Sequence, residues 1–177
     1  MPETTIADVM RAYAADAVAF AERRFKIKLD YSENSLVEID RILAEHTKTG
    51  LVVPSALTKH EEDDLWVFCK MLGGYVGEVI IRNIGGTWQS KDIDGSSSSI
   101  HLLAAGRTEG SPPQAIWRTL TEPYRSIVSY YDTLKVILGQ GEKVVDGGHE
   151  MVRLPPLSDR PPETGPTHKR WRWWKFR

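Results

Sequence analysis

The chain has one cysteine, Cys69, in 177 residues. That excludes an internal disulfide and suits a reducing compartment. In the apolar stripe of a helix, where Cys69 falls, a lone cysteine behaves as a small hydrophobe. No apolar run reaches the roughly 18 residues a transmembrane helix needs. The opening MPETTIADVM carries an early acid and neither a basic nor an apolar signal region, so a cytoplasmic protein without a secretory leader is expected. Metal signatures are missing too. His46, His60, His101, His149 and His168 form neither H-E-x-x-H nor a paired Cys/His array. There is no G-x-S-x-G elbow, no phosphate-loop motif and no internal repeat. These absences leave no cofactor and no metal to expect, and no catalytic residue to name.

What is present describes an ordinary globular body with an unusual end. Hydrophobic residues make up 41% and charges of both signs are mixed. A chain of this length forms one domain plus extensions and buries about two-thirds of its unfolded surface.

Residues 72–88, LGGYVGEVIIRNIGGTW, are the most instructive stretch. The spacing predicts a helix over 63–83, with Leu65, Phe68, Cys69, Leu72, Val76, Val79 and Ile80 as its apolar stripe. Thr58 and Glu61 read as a capping box, and the acids from Glu61 to Asp64 suit the positive end of the helix dipole. Together with His60 those acids could hold a divalent cation, but capping already accounts for them. Gly85 fits the left-handed position that ends a helix. Each interior glycine costs about 0.5–1 kcal/mol relative to alanine, so Gly73, Gly74 and Gly77 imply a close approach by another element, with helix 5–24 or helix 35–46 the expected partner for Gly74 and Gly77. Glu78 reads as a structural carboxylate, one turn before Arg82 and spaced for an ion pair with it. Gly74-Tyr75-Val76-Gly77 is only a fragment of a dinucleotide fingerprint, and it lies inside the helical pattern instead of opening it.

Around this helix the pattern predicts helices at 5–24 and 35–46, the second with a Ser35/Glu38 capping box and Asp40 on a face beside Leu36. Strands are expected at 87–93 and 100–105, around a solvated serine tip, with a third at 115–118. A last helix opens near Thr121-Glu122-Pro123 and ends at Gly139. The fold expected is α+β, about four helices on a small antiparallel sheet of two to four strands.

The ordered set YSENSLVEIDRIL, FCKMLGGYVGEVIIRNIGGTW and YRSIVSYYDTLKVIL resembles a family of bacterial domains of unknown function. Its members pair an S-L-x-x-L-D helix with an L-G-x-Y-x-G-E-V helix and a G-G-x-W segment. The resemblance covers about residues 31–138, with Ile39 where leucine is usual before the aspartate. It implies a small α+β domain of bacterial origin; Asp40, Gly74, Gly77, Glu78, Arg82 and Trp88 are read from their own positions as structural or interaction residues. Some similar small domains are associated with toxin–immunity or secretion loci, which implies protein binding. The resemblance transfers no catalytic residue.

The end of the chain departs from the rest. A domain over 1–139 is expected to give way to a Gly/Pro-rich linker over 140–166 and a basic, tryptophan-rich tail over 167–177. The tail carries Lys169, Arg170, Arg172, Lys175 and Arg177 with Trp171, Trp173 and Trp174, and no acid. Residues 1–166 hold 18 bases against 24 acids, a net charge of −6. Three partners fit such a tail: its own acidic body or a second copy, a partner protein or anionic membrane surface, or nucleic acid. The acidic body disfavours the last. The function expected is a cytoplasmic protein-binding module, in its most concrete form an immunity protein neutralising a toxin. The alternatives are a hydrolase using Glu78 or the acidic helix start, and anionic-surface or nucleic-acid binding through the tail.

Overall fold

Helix α1 (Ile6–Phe25) begins at a reciprocal cap, in which the Thr5 hydroxyl accepts from the Asp8 amide and the Asp8 carboxylate accepts from the Thr5 amide at 3.0 Å. It ends where Lys26 turns left-handed. Helix α2 (Leu36–Thr47) buries Leu36, Ile39, Ile42 and Leu43 along one edge. Helix α3 (Lys59–Asn83) starts directly after Thr58, whose side chain and that of Glu61 cap each other's backbone. Gly85 and Gly86, both with positive φ, then reverse the chain into β1 (Gly86–Ile93), followed by β2 (Ser97–Ala104) and β3 (Thr108–Gly110). Helices α4 (Pro112–Thr121) and α5 (Ile127–Gln140) complete the α+β fold. This computed structural model describes residues 4–93, 97–106 and 108–140. The expected tail, and all of the expected linker but Gln140, lie outside the described residues.

The sheet is antiparallel in the order β1-β2-β3. Its buried face carries Trp88, Leu102 and Ala104. Trp88 lies opposite Leu102, which lies opposite Gly110, so one row crosses all three strands. At the end of that row glycine is needed for space: a Cβ on Gly110 would stand 2.5 Å from the Tyr130 hydroxyl. Burial pushes the Tyr130 phenol up to about 12. Helix α3 runs through the middle of the body, against α1 on one side, α4 on another and the sheet beyond. From Leu72 to Ile80 every residue of α3 is buried, so this segment is core all the way round.

Four local expectations are corrected. Residues 115–118 are not a strand but part of α4. Pro112 and Pro113 occupy the first helical positions, where a fixed φ and a missing N–H cost nothing, and the buried set Pro112, Ile116 and Leu120 repeats every four residues. The third strand is instead β3, and the helix count rises to five among the described residues. The last helix opens at Ile127, because Thr121 ends α4 and residues 122–126 form a loop. Ser35 does not form a capping box with Glu38. It belongs to a 3-10 turn, Glu33–Ser35, and its backbone is already helical, so its hydroxyl faces Ser32 O and Tyr75 instead. Ser97, Ser98 and Ser99, expected in a loop, extend β2.

Candidate functional site

The glycines of α3 admit three different neighbours. A Cβ on Gly73 would stand 2.5 Å from the backbone of Pro113 in α4. One on Gly74 would stand 2.8 Å from Met10 O in α1, the crossing for which helix 5–24 was a candidate. One on Gly77 would overlap the Trp88 indole, so its neighbour is a side chain of β1 and not a helix. Three bare positions in five residues thus let a helix, a second helix and a strand close on one axis. The backbone entropy lost at each is offset by the area that closure removes from water.

Glu78 follows Gly77 and is 7% exposed. Its Oε1 accepts the Trp88 indole N–H at 3.0 Å. A buried carboxylate without a donor is costly, and a buried indole N–H without an acceptor costs about 1–3 kcal/mol; here each supplies the other. The spacing that permitted a Glu78–Arg82 ion pair is used differently. The Arg82 guanidinium lies over the Tyr31 ring, 3.6 Å from its centroid. Tyr31 has φ +63, a left-handed conformation that costs a side-chain-bearing residue roughly 1–2 kcal/mol. Several contacts hold it there. Its amide donates to the Tyr75 hydroxyl at 2.8 Å, its carbonyl accepts from Asn83 Nδ2 at 3.3 Å, and its ring packs on Tyr75 at 4.8 Å. The Ser35 hydroxyl gives its one proton to Ser32 O, so the Tyr75 hydroxyl donates to Ser35 Oγ. Burial raises the phenols of both Tyr31 and Tyr75 above their ordinary range. This fastening of the loop before α2 onto α3 was missed in the sequence, where Tyr75 read only as part of the glycine segment.

Asp40 does something its local sequence does not announce. From α2 its carboxylate accepts the Ser126 hydroxyl at 2.7 Å, the Ile127 amide at 2.7 Å and the Val128 amide at 3.2 Å. It caps α5 from 86 residues away in sequence, satisfying first-turn amides and placing negative charge at the positive end of the dipole. Asp40→Ala should therefore cost about 2–3 kcal/mol, above an ordinary cap because the acceptor is charged. Asp40→Asn should cost less. Chemical denaturation reads the loss, and hydrogen exchange should show it at the first amides of α5. Unchanged stability together with unchanged exchange at residues 127–130 would refute this role.

The structure thus brings Gly77, Glu78 and Trp88 together, with Gly74 one turn away. Arg82 sits on Tyr31, and Asp40 belongs to a separate cluster at α5. Lys169, Arg170, Trp171, Arg172, Trp173, Trp174, Lys175 and Arg177 lie outside the described residues. Among the described residues, no three His, Cys, Asp or Glu side chains are grouped to hold a metal ion, and no helix is long and apolar enough to cross a membrane. Lys59 pairs with Asp63 at 2.6 Å and His60 lies 3.6 Å from Asp64, so the acidic helix start finds partners within its own first turns. Cys69 is buried, and burial raises its thiol far above its ordinary range, which disfavours the reactive thiolate. No family model, curated protein or solved structure matches the chain.

Proposed function

We propose that this chain is a protein-binding module of the cytoplasm, acting as an immunity-type protein that neutralises a partner toxin. The observation that carries the reading is a set of apolar side chains left in water on two packed helices. Val37 of α2 is 58% exposed, and Val136 and Ile137 of α5 are 57% and 49% exposed. Helices α2 and α5 run antiparallel, tied by Asp40 at one end and by the Lys135–Glu33 ion pair at 2.8 Å at the other. We read these exposed apolar side chains as the points a protein partner would cover. The prominent carboxylates have structural partners, Glu78 in Trp88 and Asp40 in the start of α5, which supports a structural role for both. The resemblance to bacterial small domains associated with toxin–immunity loci supplies the class of partner. The basic, tryptophan-rich composition of 167–177 supports a second contact, to an anionic surface.

Co-expression with the products of adjacent reading frames tests the proposal. One of them should be toxic alone, lose its toxicity beside this chain, and co-elute with it. Val136→Glu with Ile137→Glu should abolish both effects without lowering the melting temperature. A hydrolytic activity that Glu78→Gln removes at unchanged stability would replace this reading with the enzyme.

A further inference from the structure

Four aromatic rings meet where α1 and α2 end beside α3. Phe20 and Phe25 of α1 lie edge to face at 5.6 Å, and Phe20 meets Phe68 of α3 at 5.8 Å. His46, in the last turn of α2, closes the circuit, 4.6 Å from Phe68 and 6.4 Å from Phe25. Its Nε2 is out of contact with water. The backbone of α2 packs on α4 and α5. Side chains fasten its two ends to α3. Just before its start, the Ser35 hydroxyl meets that of Tyr75 at 2.6 Å; near its finish, the imidazole meets Phe68.

A neutral imidazole suits this cluster and an imidazolium does not, because a charge moved among phenylalanines loses its hydration. Cation–π attraction to their faces offsets only part of that loss. Arg24, at the end of α1, opposes a proton on the ring, while Glu45, on α2, favours one. Glu45 is already paired with Lys48, and the C-terminal end of α2 adds a modest pull in its direction. Helix α3 faces the ring with Phe68, and its Asp64, one turn earlier, lies by His60. Burial is the largest influence and holds the imidazole below its ordinary 6.5. We infer that His46 is an acid-sensitive latch, whose protonation releases the last turn of α2 from Phe25 and Phe68 while the start of α2 stays fastened. As the pH falls, the released or unfolded chain takes up this proton first, so stability is full above 6.5 and declines below it. The decline is at most about tenfold in the folding constant per pH unit, and it ends once the folded imidazole is itself charged. The latch is independent of the partner surface, which uses other side chains.

NMR titration of the full chain tests it, together with urea unfolding and hydrogen exchange at about pH 7.5 and 5.5. His46→Phe keeps a ring in the cluster without a titrating group, and His46→Gln serves the same purpose with a smaller side chain. The wild-type imidazole should titrate below 6.5. Its folding constant should fall about threefold or more beyond that of either variant over this range. Protection factors at amides 44–47 should drop in acid while those at 40–42 hold, and neither variant should show that contrast. Arg24→Gln should raise the titration of the imidazole, and Glu45→Gln should lower it. An imidazole that titrates at 6.5 or above overturns the inference. So do a wild type and variants that weaken in parallel, or a loss of protection spread evenly along α2.

Discussion

Gly77→Ala should lower folding stability by about 3 kcal/mol or more, although alanine is the better helix former by roughly 1 kcal/mol. The sign is decided by Trp88. A methyl on Gly77 would overlap the benzo ring of the indole, which is rigid, 6% exposed and held by its N–H bond to Glu78. The ring cannot step aside within its plane without giving up that bond, so overpacking and a stranded carboxylate act together, and each is worth about 1–3 kcal/mol. Gly77→Leu should be worse. Gly74→Leu should cost a similar amount for a different reason, since it meets the backbone of α1 and no side-chain rotation relieves it. Urea unfolding measures these changes. Shrinking the obstacle supplies a control: Gly77→Ala should cost much less on a Trp88→Leu background than on the wild type, a coupling between touching residues. A Gly77→Ala protein as stable as the wild type would remove the basis for reading the α3 glycines as contact points.

The body of the fold was legible because its periods are clean. The apolar stripe of α3 and its T-x-x-E cap follow from local spacing, and both lie where spacing puts them. Close packing at the glycines was legible as a need but not as a set of partners. A bare Cα shows that something comes near; helix 5–24 could be named as a candidate for Gly74, whereas Pro113 and Trp88 are brought in only by the way the chain returns after Gly85. Asp40 shows the same limit more strongly. Its three acceptor contacts join α2 to the start of α5, and nothing within several residues of Asp40 marks it as a cap. The error at residues 115–118 has another origin. The short run Ala115-Ile116-Trp117 fits a strand or a helix equally, and only the length of the element, counted from Pro112, decides between them. Trp117 then stacks on Trp66 of α3, 4.7 Å apart and nearly parallel, a contact possible only once α4 is helical and lies along α3.

Glu78→Ala should lower stability by about 3 kcal/mol or more, while Glu78→Gln should cost about 1–3 kcal/mol. The difference follows from what the carboxylate does. It is an acceptor for the buried Trp88 N–H, at the point where α3 and β1 meet. Glutamine keeps a carbonyl oxygen at nearly the same place, so the indole remains bonded, but its amide group brings two donors into a site built for an acceptor. Alanine leaves the N–H unsatisfied and a hollow beside Gly77, so desolvation and cavity costs add. Trp88→Phe, which removes the donor and strands the carboxylate instead, should also destabilise. Combined with Glu78→Gln it should lose less than the two single changes together. A structural role therefore predicts losses that are coupled between residues 78 and 88 and appear in unfolding. A catalytic carboxylate would give the opposite pattern, with unfolding midpoints unmoved by Glu78→Gln and independent of Trp88, beside an activity that disappears. Measuring both single variants and the double variant by urea unfolding separates the two roles, and additive losses would show that the indole–carboxylate bond is not what holds Glu78 in place.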